Sequence, residues 1–549
     1  MNDSVLVKRE PVNRSVRALA VLGSAVTLLL LSTPAWAVSG RFCSTLNCTA
    51  NPSVTVGSGG LHNAEIVPIL WGTAWTAAQQ AQLAGIIQQM VNGPYLGALA
   101  QYGGDGVTVG PARMVPTVPI RAVPVPGATC SINHNACFNY KDCPKGQSCG
   151  LNEVVSAINA TISAGIVPPP PATNQAADVL YVVIAPTTFT GFAANDSGSW
   201  NNRPYKLAWI PGIIDKGIAH EVVEAITQNV TVANCTDADG NSAGQIVDLC
   251  CNFTTQGGLS LPGYWSSSDQ QCVAPEGWQG VYRYENSPGS WTQISSATVR
   301  QVYAGGYGVV ATDTSDNLQL YAPGSNTWTT ISTPGSMFAV GTGTNTIVRL
   351  SQVADAVAVY NGSPNSWTTI HGARSAVYAG SRIVTTDFLG TEFSWSGNGD
   401  NWTNIGKAGD QIVVTGTGRV YGIALDHSAV WMTPDNSGVW SQVGAASSQL
   451  FGGLGQNPAG NPLQPIATRD IWMYQGTGQT WLRQNGPGTM FAEAGPNGDL
   501  FMLDRSRSTI QESTNTHQTN PSWTTIRTSG LGRLVGSGTQ LYAVGVPAF

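Results

Sequence analysis

The sequence GSWTQI at residues 289–294 returns in altered form six more times before the chain ends. The later copies are NTWTTI (326–331), NSWTTI (365–370), DNWTNI (400–405), GVWSQV (438–443), QTWLRQ (479–484) and PSWTTI (521–526). Their tryptophans are separated by 37, 39, 35, 38, 41 and 42 residues. A period near 40 residues that carries several short apolar stretches is typical of the blades of a β-propeller.

Each repeat contains strand-like stretches separated by turn residues. An aromatic stretch such as VYRY (281–284) precedes the tryptophan, and an apolar stretch such as RIVTTD (382–387) comes before the aromatic one. The last stretch, GTQLYAVGV (538–546), is of the apolar kind, whereas the first repeat begins at its aromatic strand. The two ends therefore complete one blade, and we predict an all-β, seven-bladed propeller over residues 277–549.

The aromatic strand followed by a turn and W-x-x-I resembles the repeats of tectonin-type propellers. The resemblance covers residues 277–549 and implies a propeller that binds a glycan or another cell-surface molecule. No blade carries a candidate catalytic cluster, so we expect any reaction to belong to the preceding part of the chain.

Residues 1–37 have the pattern of a secretory signal peptide. Four basic residues between positions 8 and 17 precede an apolar run at 18–31, and Ala35-Trp36-Ala37 offers small residues at a cleavage site. The run is shorter than the roughly 20 residues of a membrane-spanning helix, so an uncleaved anchor is the less favoured alternative. We expect a secreted or periplasmic protein whose mature chain has no membrane span.

Charge and cysteine usage narrow the class of protein further. The whole chain carries a net charge of −6 and the signal peptide +2, which leaves −8 on the mature part and argues against a nucleic-acid partner. All ten cysteines lie between Cys43 and Cys272, an even number that predicts disulfides in an exported chain. Cys250 and Cys251 are adjacent and must pair with different partners, for which Cys235 and Cys272 are the candidates.

Residues 38–275 are predicted to form a disulfide-bonded α/β domain. The apolar runs IVPILW (66–71) and VLYVVIA (179–185), together with KLAWI (206–210), are of strand type, and residues 76–91 have the pattern of an amphipathic helix. The polar stretch NDSGS (195–199) is predicted to be a turn.

The stretch GIAHEVVEAITQ (217–228) carries the candidate chemistry. His220 and Glu224 are four residues apart and would share one face of a helix. Imidazole and carboxylate are both zinc ligands, so this H-E-x-x-E pattern predicts a zinc site with Glu221 as the base that accepts a proton from the attacking water. The alternative is an ordinary amphipathic helix that shows these side chains to solvent.

A zinc site of this type needs a third protein ligand. Histidine is scarce before residue 277, so downstream carboxylates are favoured. Asp248 is the first choice, and Asp237 and Asp239 follow.

The block HEVVEAIT, QIVDLCC, YW and QC resembles that of secreted bacterial zincin-like proteins, regarded as metallopeptidases, and more distantly EXORDIUM-like secreted proteins. The resemblance covers about residues 60–275 and implies a zinc peptidase with a protein or peptide substrate. Two positions depart from the family pattern: Gln245 replaces an acidic residue, and Thr227-Gln228-Asn229 stands where the family has TDP.

Two functions therefore compete. The first is an exported zinc-dependent hydrolase, specifically a peptidase, whose propeller docks it to a target. The second is a non-enzymatic, lectin-like binding protein whose zincin-like domain is inactive. Convergence of His220 and Glu224 with a third ligand separates the two.

Overall fold

The computed structural model describes the following residues. They are 47–56, 61, 65–71, 75–96, 99, 102, 108–109, 113–115, 151–170, 179–185, 193–211, 216–228, 230–236, 245–247, 249–250, 253–256, 259–267, 270–342, 344–351, 356–406, 409, 411–452, 459–462, 471–484, 491–494, 499–503, 509–514, 518–528, 531–537, 540–545 and 547–548. The predicted signal peptide lies outside them. Residues 42–549 form one compact unit, and the predicted boundary near residue 276 stays a prediction.

The part before residue 277 contains short strands and three helices among the described residues. In chain order they are β1 (Asn47–Val56), β2 (Glu65–Trp71), α1 (Ala77–Asn92), β3 (Thr108–Val109), β4 (Arg113–Val115), α2 (Leu151–Ser163), β5 (Val179–Ala185), β6 (Ala194–Trp200), β7 (Arg203–Pro211), α3 (Lys216–Ile226), β8 (Val230–Thr236), β9 (Phe253–Gln256), β10 (Leu259–Pro262), β11 (Tyr264–Ser266) and β12 (Gln271–Val273). The three strands and two helices predicted here from the sequence are confirmed.

A six-stranded mixed sheet forms the centre of this part. Its order is β3-β2-β5-β7-β6, with β4 also paired to β2; β6 alone runs antiparallel to its neighbour. Every residue of β5 is buried, which explains its uninterrupted apolar sequence. Tyr205 donates a hydrogen bond to Asn159 of α2, whereas the next residue, Lys206, donates to Gln228 just after α3. Because successive strand residues point to opposite faces, α2 and α3 cover opposite faces of the sheet.

The stretch predicted to be a turn at residues 195–199 is instead part of strand β6. Asn201 and Asn202 follow it with φ values of 48° and 62°, the left-handed pair typical of a two-residue hairpin, which returns the chain as β7. The Tyr205 ring lies over Gly198 so closely that a Cβ there would stand 2.4 Å from its Cζ atom. The hairpin and this ring contact hold polar residues in an edge strand that local composition does not favour.

From Gly277 onward the described chain is all β. The first and last strands are β13 (Gly277–Tyr284), β14 (Trp291–Val299), β39 (Leu531–Gly536), β40 (Leu541–Gly545) and β41 (Pro547–Ala548). The strands between them are β15 (Gln301–Gly305), β16 (Gly308–Thr312), β17 (Leu318–Ala322), β18 (Thr327–Ser332), β19 (Gly335–Val340), β20 (Ile347–Ser351), β21 (Val357–Tyr360), β22 (Trp367–His371), β23 (Ala376–Ala379), β24 (Ile383–Thr386), β25 (Glu392–Trp395), β26 (Trp402–Gly406), β27 (Ile412–Val414), β28 (Val420–Ile423), β29 (Val430–Thr433), β30 (Ser441–Gly444), β31 (Ser447–Phe451), β32 (Ala459–Pro462), β33 (Trp472–Tyr474), β34 (Trp481–Arg483), β35 (Phe491–Ala494), β36 (Leu500–Leu503), β37 (Thr509–Ser513) and β38 (Thr524–Thr528).

These strands build a β-propeller, as predicted, but its sheets are not seven equivalent blades. Six blades are antiparallel sheets of four consecutive strands, from β15–β18 to β35–β38. The remaining sheet has five strands and is made from both ends of the propeller, because β13 pairs with β14, β40 and β41. The first strands β15, β19, β23, β27, β31, β35 and β39 touch one another in sequence, and β39 touches β15. The prediction of seven blades is thus corrected to six continuous blades and one composite sheet, which closes the ring.

The repeated tryptophans tie each sheet to the one before it. Each indole N–H donates a hydrogen bond to a main-chain carbonyl in the W-x-x-I segment of the preceding repeat, over 2.6–3.2 Å. The pairs are Trp291–Ile526, Trp328–Ile294, Trp367–Ile331, Trp402–Ile370, Trp440–Ile405, Trp481–Val443 and Trp523–Gln484. The set runs once around the ring, and the Trp291 bond joins the first repeat to the last. The period in the sequence is therefore the period of these contacts.

Helix α1 connects the first part of the chain to the propeller. A capping box at Thr76 and Gln79 starts the helix. The apolar residues Leu83, Ile87 and Met90 of α1 are buried, and they belong to one core with propeller side chains. Gln89 donates a 2.8 Å hydrogen bond to the carbonyl of Gly335 on β19.

A second buried contact between the two parts joins a histidine to a glutamate. Nε2 of His427, in the β28–β29 loop, lies 2.9 Å from the Glu65 carboxylate at the start of β2. Both side chains are almost fully buried. The propeller therefore shares its interior with the part that precedes it.

The chain outside the propeller is reinforced by small sheets and a disulfide. Strand β1 pairs with β8, β9 with β10 and β11 with β12. Cys250 is bonded to Cys272, which confirms one of the predicted partners. Three described helices stand against 41 strands, so the chain is mostly β, and the α/β zincin-like assignment stays a hypothesis.

Candidate metal site

Helix α3 brings the residues of the H-E-x-x-E pattern into the interior. His220, Glu221 and Glu224 are 6%, 4% and 6% exposed. The opposite side of α3, with Ile218 and Val222, is fully buried. The alternative of an amphipathic helix with these polar residues in solvent is therefore wrong, because α3 is covered on every side.

The three polar side chains converge. Nε2 of His220 lies 2.8 Å from Oε1 of Glu224, as the four-residue spacing predicts. One ligand atom from each of His220, Glu221 and Glu224 lies within 4.8 Å of the other two. Within the part of the chain that the structure describes, this is the one group of three such residues close enough to share a metal ion.

A fourth residue completes the cluster from the sheet. Asn195, on the edge strand β6, donates from Nδ2 to Oε2 of Glu224 at 2.6 Å and to Oε2 of Glu221 at 3.2 Å. No sequence pattern indicates this role, because Asn195 lies 25 residues before His220 in a stretch interpreted as a turn. Only the β6–β7 pairing places its side chain over α3.

The environment of Glu221 favours its neutral form. Burial raises its pKa from 4.5 to about 8, and the charge of Glu224 adds to the rise. His220 and the Asn195 amide act in the opposite direction, because both stabilise the carboxylate. A carboxyl group with a pKa in this range can exchange a proton near neutral pH.

The donor set matches the chemistry of a zinc ion. Burying two carboxylates and an imidazole together is unfavourable unless a proton or a cation compensates their charge. Imidazole nitrogen and carboxylate oxygen are both zinc ligands. His220 and Glu224 fit two positions, whereas the candidates for the third ligand, Asp248, Asp237 and Asp239, lie outside the described residues.

The two departures from the family pattern have different surroundings. Gln228 accepts a hydrogen bond from Lys206, so it attaches the end of α3 to strand β7. Gln245 begins a turn whose next residues, Ile246 and Val247, are buried. The carbonyl of Ile246 accepts a 2.9 Å hydrogen bond from Trp265 of β11. This contact attaches residues 245–247 to the small β11–β12 sheet.

No helix among the described residues is long and apolar enough to cross a membrane.

No protein-family model matches this sequence, and no curated protein matches it.

The chain is similar to several solved structures. Yeast RCC1 (Prp20), in a crystal structure with Kap60, is 10% identical with a TM-score of 0.38, covering 50% of this chain and 90% of that one. YCF48 from Cyanidioschyzon merolae is 10% identical with a TM-score of 0.33, covering 49% and 97%. A streptogramin B lyase is 10% identical with a TM-score of 0.34, covering 49% and 99%. At these values the similarities carry no inference about the activity or partner of this chain.

Proposed function

We propose that this protein is an exported zinc-dependent hydrolase that acts on a protein or peptide substrate. The observation that carries the proposal is the buried group formed by His220, Glu221 and Glu224 on α3. Its residue types and spacing match two ligands and the base of a hydrolytic zinc site. Export is proposed from the signal-peptide pattern of residues 1–37.

In this proposal the side chains have separate roles. His220 and Glu224 hold the metal. The third ligand is a downstream carboxylate, for which Asp248 is the first choice. The zinc ion supplies Lewis acidity toward a carbonyl group. Glu221 accepts a proton from the attacking water and passes it to the leaving group.

A peptide substrate is supported by the position of β6 at the end of the sheet. Among the described residues, β6 pairs only with β7, so its outer main-chain groups beside Asn195 can accept an extended peptide. Further along the strand, the N–H of Ser197 and the carbonyl of Ser199 already bond to Asp196 and Asn159. Asn195 lies on this strand and contacts both glutamates, so a peptide along β6 would pass beside the cluster.

The propeller is proposed to dock the hydrolase to a protein, glycan or cell-surface ligand. The repeated tryptophans are half-buried and their indole N–H groups are engaged between sheets. Ligand recognition is therefore assigned to the loops rather than to these indoles.

The test is metal analysis of the mature protein beside three variants. We expect one zinc per chain in the wild type, loss of zinc in His220→Ala, and retained zinc with lost hydrolysis in Glu221→Gln. His427→Ala is the matched control, since His427 is also buried beside a glutamate but lies outside the cluster. Wild-type protein without zinc after supply of the metal would overturn the hydrolase proposal and leave the non-enzymatic, lectin-like binding protein in its place.

A further inference from the structure

We infer that Asn195 is the positioning residue of the candidate zinc site, an inference that rests on the proposed function. It touches both glutamates of the cluster, yet an amide nitrogen that donates two hydrogen bonds is not available as a zinc ligand. Its role is therefore to set where the ligand atoms point.

The two carboxylate oxygens of Glu224 have different partners. Oε2 accepts from Asn195 at 2.6 Å, and Oε1 faces Nε2 of His220 at 2.8 Å. Because Asn195 holds Oε2 in place, the other oxygen, Oε1, stays beside the imidazole nitrogen of His220. Two tetrahedral zinc ligands at about 2.0–2.2 Å from the ion stand roughly 3.4 Å apart, so this pair has to separate by about 0.6 Å to bind one ion.

The amide of Asn195 also bonds to the second glutamate, so it links the two. Oε2 of Glu221 accepts from the same Nδ2 atom at 3.2 Å. A shared neutral donor holds the two carboxyl groups side by side without adding charge. A lysine or arginine at this position would also bind them, but its positive charge would oppose a cation in the cluster.

The backbone around Asn195 is suited to a fixed position. Its register partner on β7 is Ala208, whose small side chain leaves the space toward α3 to the amide. Ser197, two residues further along β6, points to the same face and contacts Lys206 and Gln228 instead of the glutamates. A donor carried by a paired strand holds its place better than one carried by a loop.

Ser197 therefore provides the matched control. We would compare wild type, Asn195→Ala and Ser197→Ala by chelator competition for zinc and by the visible absorption of the cobalt-substituted proteins. Loss of the outer hydrogen bonds is expected to weaken zinc binding about 10- to 100-fold in Asn195→Ala and to change its cobalt spectrum. Ser197→Ala is expected to keep the wild-type affinity and spectrum.

Each outcome decides the inference. Equal zinc affinity and cobalt spectra in wild type and Asn195→Ala would overturn the role of Asn195 while leaving the zinc site in place. Equal losses in Asn195→Ala and Ser197→Ala would overturn it too, since they would indicate a general effect of disturbing β6. Absence of zinc from the wild type would remove the proposed function together with the inference.

Discussion

In the metal-free protein, Glu221 is expected to lower stability as the pH rises. Its pKa is raised from 4.5 to about 8 in the folded chain, chiefly by burial. The folded state therefore keeps a proton that the unfolded state releases. Stability from this group is fully present below pH 4.5 and is lost progressively as the pH rises through 8.

The size of the effect follows from the shift. Each pH unit between these values lowers the free energy of unfolding by about 1.4 kcal/mol. Over the roughly 2.5 units up to pH 7, the loss is about 3 kcal/mol. Glu221→Gln removes the titration and keeps a hydrogen-bond donor, so we expect it to be more stable than wild type by about this amount at pH 7 and equal to it at pH 4.5.

The assay is thermal unfolding in a metal chelator from pH 4.5 to 8. A gain of about 3 kcal/mol corresponds to several degrees in Tm. Glu65→Gln is the contrasting variant, because it replaces the buried carboxyl group that faces His427 and is expected to lower Tm. Parallel Tm curves for wild type and Glu221→Gln across this range would refute the reasoning.

Two further predictions concern stability. Trp367→Phe removes the indole donor to the Ile331 carbonyl and should lower the free energy of unfolding by about 1–2 kcal/mol. Trp395→Phe is the control, because the bond of Trp395 to Gly399 is exposed and lies within its own blade. In thermal unfolding, this variant should be destabilised less than Trp367→Phe. Cys272→Ser opens a loop that spans 22 residues and should cost about 3 kcal/mol; a variant whose Tm matches that of the oxidised wild type would contradict this.

The propeller could be predicted from sequence because its repeats are local. Each repeated tryptophan bonds to the W-x-x-I segment of the preceding repeat, and this contact recurs from sheet to sheet. The period of the tryptophans is therefore enough to predict the propeller. The composite sheet could also be foreseen, since the first and last strands are complementary. The number of continuous blades could not be read from the tryptophans, because Trp291 belongs to the sheet that both ends share.

The candidate site, too, could be predicted from the sequence only in part. The sequence by itself determined the pair on α3, because a spacing of four residues on a helix brings His220 to Glu224. Only the tertiary structure decided that this helix is buried on all sides and that the edge strand β6 places Asn195 over both glutamates. Helical spacing acts within one turn and is written in the sequence, whereas burial and the approach of a distant strand depend on how the sheet is assembled.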